Sequence, residues 1–414
     1  MFSRLALFVF TICLALGSAA RAETTTDKLV EERLRAGALA QLEQELSARL
    51  TASPFDDQVR LALGMTQFLR AVEGLGQDFY RHGLESRELR TMLFLRLPVP
   101  ENPAPEPLDY PKLRAIFDRF SSALATADET LSVMSTADVK LPVPVALVRL
   151  DLNGDGKADE NEMLWRVFMA TLGGGGGAMA PEDAERFVIA FDRADAAWLR
   201  GYTHLLRAAV SFGQAHDWQA SFDASFHLFF PRAGLPGALL NPPGTPDTSG
   251  FNERPLADYI ALFHTMNWPV TDADRMAQSL AHLERVVELS REGWNYILAE
   301  TDDDAEWIPA PQQRNGVLQG LPVTQETVDG WMLALSEFDG VLKGTKLVPH
   351  WRLAQGINLR RVFLEPRRFD AVLWVQGTAA LPYLEDGPMV SQESWDRIMG
   401  MLGGNALGYA IWFN

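Results

Sequence analysis

The spacing of apolar residues predicts two helices near the start of the chain. Apolar side chains recur at steps of four and three residues from Leu61 to Phe79, and at similar steps from Leu39 to Leu50. Steps of this kind place one apolar stripe along an α-helix, which buries that stripe against a neighbour. Because Pro54 lies between the two segments, we expect a turn there and a helical hairpin.

The same pattern predicts further helices in the second half of the chain. Thr271 with Asp274 three residues later is typical of a capping box, and apolar positions continue from there to Trp294. Residues 325–343 form another periodic segment, which Gly344 is expected to end.

Strand signals are few and lie close to the C-terminus. The short segments 371–375 and 410–413 are rich in β-branched and aromatic residues, so we expect them to be paired strands. The predicted fold class is therefore mainly α: a multi-helix globular protein with a minor C-terminal β element.

The first 22 residues have the features of a secretory signal peptide. Arg4 precedes an apolar stretch from Leu5 to Leu16, and Ala20-Arg21-Ala22 gives a cleavage signature before Glu23. The apolar stretch is shorter than the ~20 residues of a membrane span. We therefore expect an exported, periplasmic or secreted protein with no membrane span after signal cleavage.

Composition then excludes several classes of function. The 414 residues are 47% hydrophobic and 22% charged, which is a globular balance. The net charge of −17 argues against nucleic acid as a partner, because that surface needs clustered basic residues. Cys13 is the one cysteine and would leave with the signal peptide, so we expect no thiol catalysis, disulfide or cysteine-bound zinc.

Proline and glycine runs suggest how the chain is divided, because they interrupt regular elements. The predicted regions are the signal peptide 1–22, an N-terminal helical hairpin 23–97, a Pro-rich linker 98–112, a helical region 113–230, a Pro/Gly-rich loop 231–255, and a C-terminal helical region 256–414 with short strands.

One motif within the region 113–230 carries specific chemistry. Residues 151–162 read DLNGDGKADENE. This segment resembles the EF-hand calcium loop, in which oxygen ligands recur at fixed positions and a glycine permits a sharp bend. The resemblance covers these 12 residues and short flanks only. It implies Ca²⁺ as the cofactor, bound by the following residues: Asp151, Asn153, Asp155, Lys157 through its backbone carbonyl, Asp159 and Glu162.

The context of the motif favours a structural calcium ion over a regulatory one. Apolar residues precede and follow the motif, which predicts a short entering helix, limited by Pro142 and Pro144, and an exiting helix over 162–171. EF-hands that sense calcium usually occur in pairs, and no second loop follows here. Ala158 also stands where a larger apolar residue usually contacts the partner loop.

Two other groups of polar residues are weaker candidates for metal sites. His204, His216 and His227 lie close together in sequence, but their spacing matches no familiar ligand set, so hydrogen-bonded histidines are the preferred interpretation. The acidic run 302–304 with Glu306 could hold a second cation, although a solvated transition from helix to loop is preferred.

Two alternative functions stay open alongside an exported calcium-binding protein. The first is a periplasmic hydrolase that acts on glycan or cell-wall material through carboxylates, since aromatic and charged residues are dense between Phe191 and Phe212. The second is a helical interaction scaffold, because the hairpin with Leu63-Gly64 faintly resembles a tetratricopeptide repeat. Whether the chain is an enzyme, and which protein or glycan would be its partner, is left undecided.

Overall fold

Helices predominate throughout the described part of the chain. The computed structural model describes residues 24–85, 97, 99–135, 138–165, 181–234, 254–314, 316, 322–404 and 406–413. The α-helices are α1 Thr26–Arg35, α2 Leu39–Ala52, α3 Asp57–Arg81, α4 Tyr110–Ser132, α5 Pro181–Arg186, α6 Arg193–Gln214, α7 Gln219–Ser225, α8 Arg254–Thr265, α9 Ala273–Ile297, α10 Gln325–Leu342, α11 Leu359–Leu364, α12 Ala371–Gln376, α13 Gln392–Met401 and α14 Ala406–Phe413.

The sheet content of the described residues is small. Three antiparallel pairs form: β1 Leu141–Pro144 with β2 Val188–Phe191, β3 Asn267–Trp268 with β5 Phe369–Asp370, and β4 Gly356–Ile357 with β6 Leu384–Glu385. The predicted fold class, mainly α with a minor β element, is confirmed. No helix in the described part of the chain is both long and apolar enough to cross a membrane.

The first hydrophobic core gathers the N-terminal helices. Leu42 and Leu46 of α2 and Leu61 and Phe79 of α3 are fully buried there, which confirms the two helices predicted from apolar spacing. Leu108, within the Pro-rich segment, is buried in the same core. The division into regions stays a prediction.

The second hydrophobic core surrounds α9 and α10. It is rich in buried tryptophan: Trp294, Trp307, Trp331 and Trp412. The predicted helix 325–343 is confirmed as α10, and the long helix predicted from Thr271 is confirmed as α9. The N-cap of α9 is Asp272 and not the predicted Thr271, because the side chain of Asp272 accepts the capping hydrogen bond from the Arg275 N–H.

The prediction of strands at 371–375 and 410–413 is wrong, because both segments are helical in α12 and α14. The Asp370 side chain caps α12 by accepting from the Leu373 N–H, and Gly377 ends it with φ +104°. Trp412 and Phe413 of α14 are buried in the second core. Capping and tertiary packing thus outweigh the β propensity of these side chains.

Candidate metal centre

Residues 151–156 fold into the tight turn that the motif predicts. Gly154 and Gly156 have φ values of +73° and +81°, which residues with a Cβ rarely adopt. The Asp151 carboxylate lies inside the turn and accepts hydrogen bonds from three successive N–H groups, those of residues 154, 155 and 156, at 2.8, 3.2 and 3.0 Å. The first predicted ligand is therefore held in a fixed position.

The other end of the loop returns to its beginning at Glu162. This side chain has no solvent-exposed surface. Its Oε1 accepts from the N–H groups of Leu152 and Asn153 at 2.9 and 3.2 Å, and its Oε2 accepts from the Asp159 N–H at 2.9 Å. Burial raises the pKa of Glu162. No basic side chain of the described residues forms an ion pair with it within 4.0 Å.

The remaining predicted ligands lie along the loop without converging. The side chains of Asn153 and Asp155 each accept from the N–H two residues later, and Lys157 and Asp159 are exposed. In the described part of the chain, no three of the loop carboxylates place ligand atoms within 4.8 Å of one another. Mutual repulsion and satisfied hydrogen bonds explain why they stay apart. The ligand set therefore stays a prediction.

The flanks of the loop differ from the predicted helix–loop–helix arrangement. The segment predicted as the entering helix is strand β1 followed by a single 3₁₀ turn, Val145–Leu147, because Pro142 and Pro144 favour extended backbone. A 3₁₀ turn spans Glu160–Glu162. The predicted exiting helix lies outside the described residues from position 166 onward.

A helix–helix turn, instead of a second calcium loop, packs against Ala158. Gly37 lies between α1 and α2 with φ +66°, and a Cβ added to it would stand 2.3 Å from the Ala158 Cβ. The Arg149 side chain donates to the Ala158 carbonyl at 3.2 Å. A larger side chain in place of Ala158 would collide with the turn at Gly37, which explains the small residue at this position.

Helix α3 holds the start of the loop from the other side. Glu73 accepts from the Asp151 N–H at 2.9 Å, and Gln77 donates to the Asp151 carbonyl at 2.8 Å. Leu152 is fully buried and lies against Gly76 of the same helix. The loop therefore joins elements that are distant in sequence.

The three histidines considered as a metal site do not come together. The Nδ1 atoms of His204 and His282 lie 2.9 Å apart, and His204 Nε2 lies 3.2 Å from Asp128 Oδ2. His216 contacts the Phe212 carbonyl through Nδ1 at 2.7 Å. His227 pairs with another side chain, the Asp258 carboxylate, at 3.4 Å.

A different group of carboxylates converges, and of its three members only Glu306 is named from the sequence as a candidate ligand. Asp192, Glu300 and Glu306 place ligand oxygens within 4.8 Å of one another, and they are the one such group among the described residues. Burial and mutual repulsion raise the pKa of Glu300 to about 8 and that of Glu306 to about 7. More than 100 residues separate Asp192 from its two partners, so no local pattern signals the site.

The acidic run 302–304 beside this group is exposed, as the preferred interpretation predicted, and Glu306 is the exception. Asp302 and Asp304 are exposed, and both accept hydrogen bonds from the Lys140 ammonium. Glu306 is only 3% exposed. The prediction of a solvated transition is therefore wrong for Glu306, because the chain folds inward at this residue and joins the second core through Trp307.

Cavity sizes bear on the hydrolase alternative. The cavity beside Asp195 and Trp198 measures about 10 Å³, which is room for one water molecule. A larger cleft of about 260 Å³ lies next to Asn153 and is lined by a single carboxylate, Glu106. Neither space combines room for a substrate with two carboxylates. The hydrolase and scaffold functions stay predictions.

No protein-family model, no curated protein and no solved structure matches this chain. The functional conclusions below therefore depend on the geometry of its own residues.

Proposed function

We propose that this chain is an exported calcium-binding protein in which residues 151–162 bind one Ca²⁺ ion with a structural role. The observation that carries the proposal is the buried Glu162 carboxylate, which has hydrogen bonds but no basic partner within ion-pair distance. A buried charge without a counter-charge costs free energy. A divalent cation in the adjacent loop would supply that counter-charge.

In this proposal the loop closes around the ion when the ion binds. Asp151, Asn153 and Asp155 turn side-chain oxygens inward, Lys157 gives its carbonyl, Asp159 binds directly or through water, and Glu162 closes the shell. Ca²⁺ accepts six to eight oxygens in flexible geometry, so small rearrangements of exposed side chains suffice. Fixed turn geometry at Gly154 and Gly156 favours this closure.

A structural role follows from what the loop touches. Its backbone is hydrogen-bonded to α3, and Ala158 packs on the α1–α2 turn. An ion that orders the loop would stabilise these contacts. With a Kd of about 10⁻⁴ to 10⁻³ M, typical of extracellular modules, about 1 mM calcium would add roughly 0.4–1.4 kcal/mol to the free energy of unfolding.

Calorimetric titration with Ca²⁺ tests the proposal. Glu162→Gln keeps an acceptor oxygen and removes the charge, so one binding site should be lost. Glu160→Gln is the matched control, because Glu160 is exposed, adjacent and outside the ligand set. A calcium titration that is identical for wild type and Glu162→Gln would contradict loop binding.

Export is tested separately by N-terminal sequencing of the protein recovered from the periplasm or medium. We expect the mature chain to begin at Glu23, after the Ala20-Arg21-Ala22 signature. Recovery of the intact N-terminus in the cytoplasm would contradict export without affecting calcium binding.

A further inference from the structure

Three elements bring the carboxylates of Asp192, Glu300 and Glu306 to one point. Asp192 precedes α6 and caps it, with its Oδ1 accepting from the Ala194 N–H at 2.7 Å. Glu300 lies just after the end of α9. Glu306 follows six residues later, where the Ala190 N–H donates to the Ala305 carbonyl at 3.0 Å and ties this segment to strand β2. The cluster is thus fixed by backbone contacts as well as by its side chains.

Glu306 supplies a second observation that points to a ligand. Its side chain is 97% buried, with 3% exposed, and its Oε1 has no accessible surface and no hydrogen-bond partner. The nearest cationic atom is Lys140 Nζ at 3.9 Å, beyond hydrogen-bonding distance. A buried carboxylate oxygen without a hydrogen bond is costly, so the position favours a bound positive charge.

Lys140 does not balance the charge of this region. Its ammonium donates to Asp302 and Asp304 on the exposed side. Behind the cluster, Asp195 is a further buried carboxylate, and it accepts from the Asp192 N–H at 3.0 Å. The ammonium therefore forms its hydrogen bonds with the exposed pair and none with the three clustered side chains.

The donor set and its spacing select the class of cation. All the converging atoms are carboxylate oxygens, which favour hard cations over transition metals. Ca²⁺ accepts oxygen ligands at about 2.3–2.6 Å in flexible geometry, whereas Mg²⁺ requires about 2.0–2.1 Å and strict octahedral geometry, so three carboxylates from separate elements favour the more flexible ion.

We propose that Asp192, Glu300 and Glu306 bind a second divalent cation of the size of Ca²⁺, independently of the loop at 151–162. The ion joins the first turn of α6 to the segment that follows α9. It stabilises the packing of these two helices, and Lys140 holds the outer acidic residues away from the ion. Oxygens of the half-buried Glu300 and Asp192 side chains and water molecules complete its coordination shell.

The test uses the full chain with Glu162→Gln as background, so that the loop site is silent. Calorimetric titration with Ca²⁺ at pH 7.5 should then show one remaining site. Adding Glu306→Gln should weaken that site at least tenfold, and Glu300→Gln, a second variant at a less buried position, should do the same. Asp303→Asn is the matched control, because it removes a charge from the same segment and keeps the acceptor for the Arg314 N–H.

The outcomes separate this proposal from the proposed function. Loss of calcium heat in Glu162→Gln/Glu306→Gln, with heat retained in Glu162→Gln/Asp303→Asn, supports the second site. No calcium heat in the Glu162→Gln background would overturn it, and protons with Lys140 would then be the counter-charges of the cluster. If Glu162→Gln binds like wild type while Glu306→Gln loses binding, the loop proposal fails and the second site stands.

Discussion

Glu162 and Glu306 are both buried carboxylates without a hydrogen bond to a basic side chain, but they differ in how their surroundings arise. The contacts of Glu162 come from backbone groups within ten positions of it, so its role is readable from local spacing. Those of Glu306 include Asp192 and Lys140, each more than 100 residues away along the chain, which the fold alone brings near. At the scale of single residues, burial distinguishes these two acids from the exposed ones beside them.

The contact between Gly37 and Ala158 gives a prediction at this scale. Gly37→Ala should lower the free energy of unfolding by about 1–3 kcal/mol beyond the cost of the strained φ, because the new Cβ would lie 2.3 Å from the Ala158 Cβ. Gly403→Ala is the control: its φ is +57°, yet nothing lies within 4 Å. Urea denaturation of both variants makes the comparison, and equal losses would contradict the steric explanation.

His282 gives a prediction of pH dependence. Burial, with Arg207 and His204 nearby, lowers its pKa from 6.5 to about 4. Because the unfolded chain binds this proton more readily, the contribution of His282 to stability is complete above pH 6.5 and is lost as pH falls toward 4. His282→Gln should therefore show a smaller decrease in urea midpoint between pH 7 and pH 4.5 than the wild type.

Asp128, which lies near His282, titrates below the pH range of that measurement. Although burial opposes it, hydrogen bonds from His204 and Arg200 lower the pKa of Asp128 to about 2. Its contribution is present above pH 4 and is lost only as pH falls further. An unchanged pH dependence in His282→Gln would show that His282 does not titrate as the structure indicates.

At the scale of elements, close approach of helices depends on individual glycines. In α3, a Cβ at position 64 would lie 2.4 Å from Leu131 of α4, whereas a Cβ at position 74 would meet nothing within 4 Å. The two glycines share one helix but not one environment. The apolar spacing that predicts α3 therefore does not indicate which of its glycines lies at a contact between helices.

These two positions predict opposite effects of the same substitution. Gly64→Ala should destabilise the protein by about 1–3 kcal/mol, because α3 and α4 must move apart. Gly74→Ala should stabilise it by about 0.5–1 kcal/mol, because alanine favours a helix interior. Thermal melts followed by circular dichroism measure both effects. Stabilisation by Gly64→Ala would contradict the close approach.

At the scale of the whole molecule, the two main cores share side chains. Val145, Phe191 and Trp198 pack against both, and α6 contributes buried residues to each. Since neither core can lose these contacts without affecting the other, we expect the described regions to unfold as one cooperative unit.

Calcium offers a test of this coupling. In the Glu306→Gln background only the proposed loop site would remain, and Leu152 of the loop lies in the first core. Calcium should nevertheless raise the melting temperature reported by tryptophan fluorescence, which is weighted toward the second core, by the same amount as that reported by far-ultraviolet circular dichroism. Two transitions, of which calcium shifts only one, would show that the cores unfold separately.

The sequence by itself determined what depends on neighbours along the chain. Apolar spacing identified α2, α3, α9 and α10, and the glycine and acid spacing of residues 151–156 identified the tight turn, because hydrogen bonds and side-chain stripes within an element repeat locally. Only the tertiary structure decided the rest. It made α12 and α14 helical, placed Gly37 against Ala158, and assembled Asp192, Glu300 and Glu306, because burial and long-range contacts join residues whose separation leaves no pattern in the sequence.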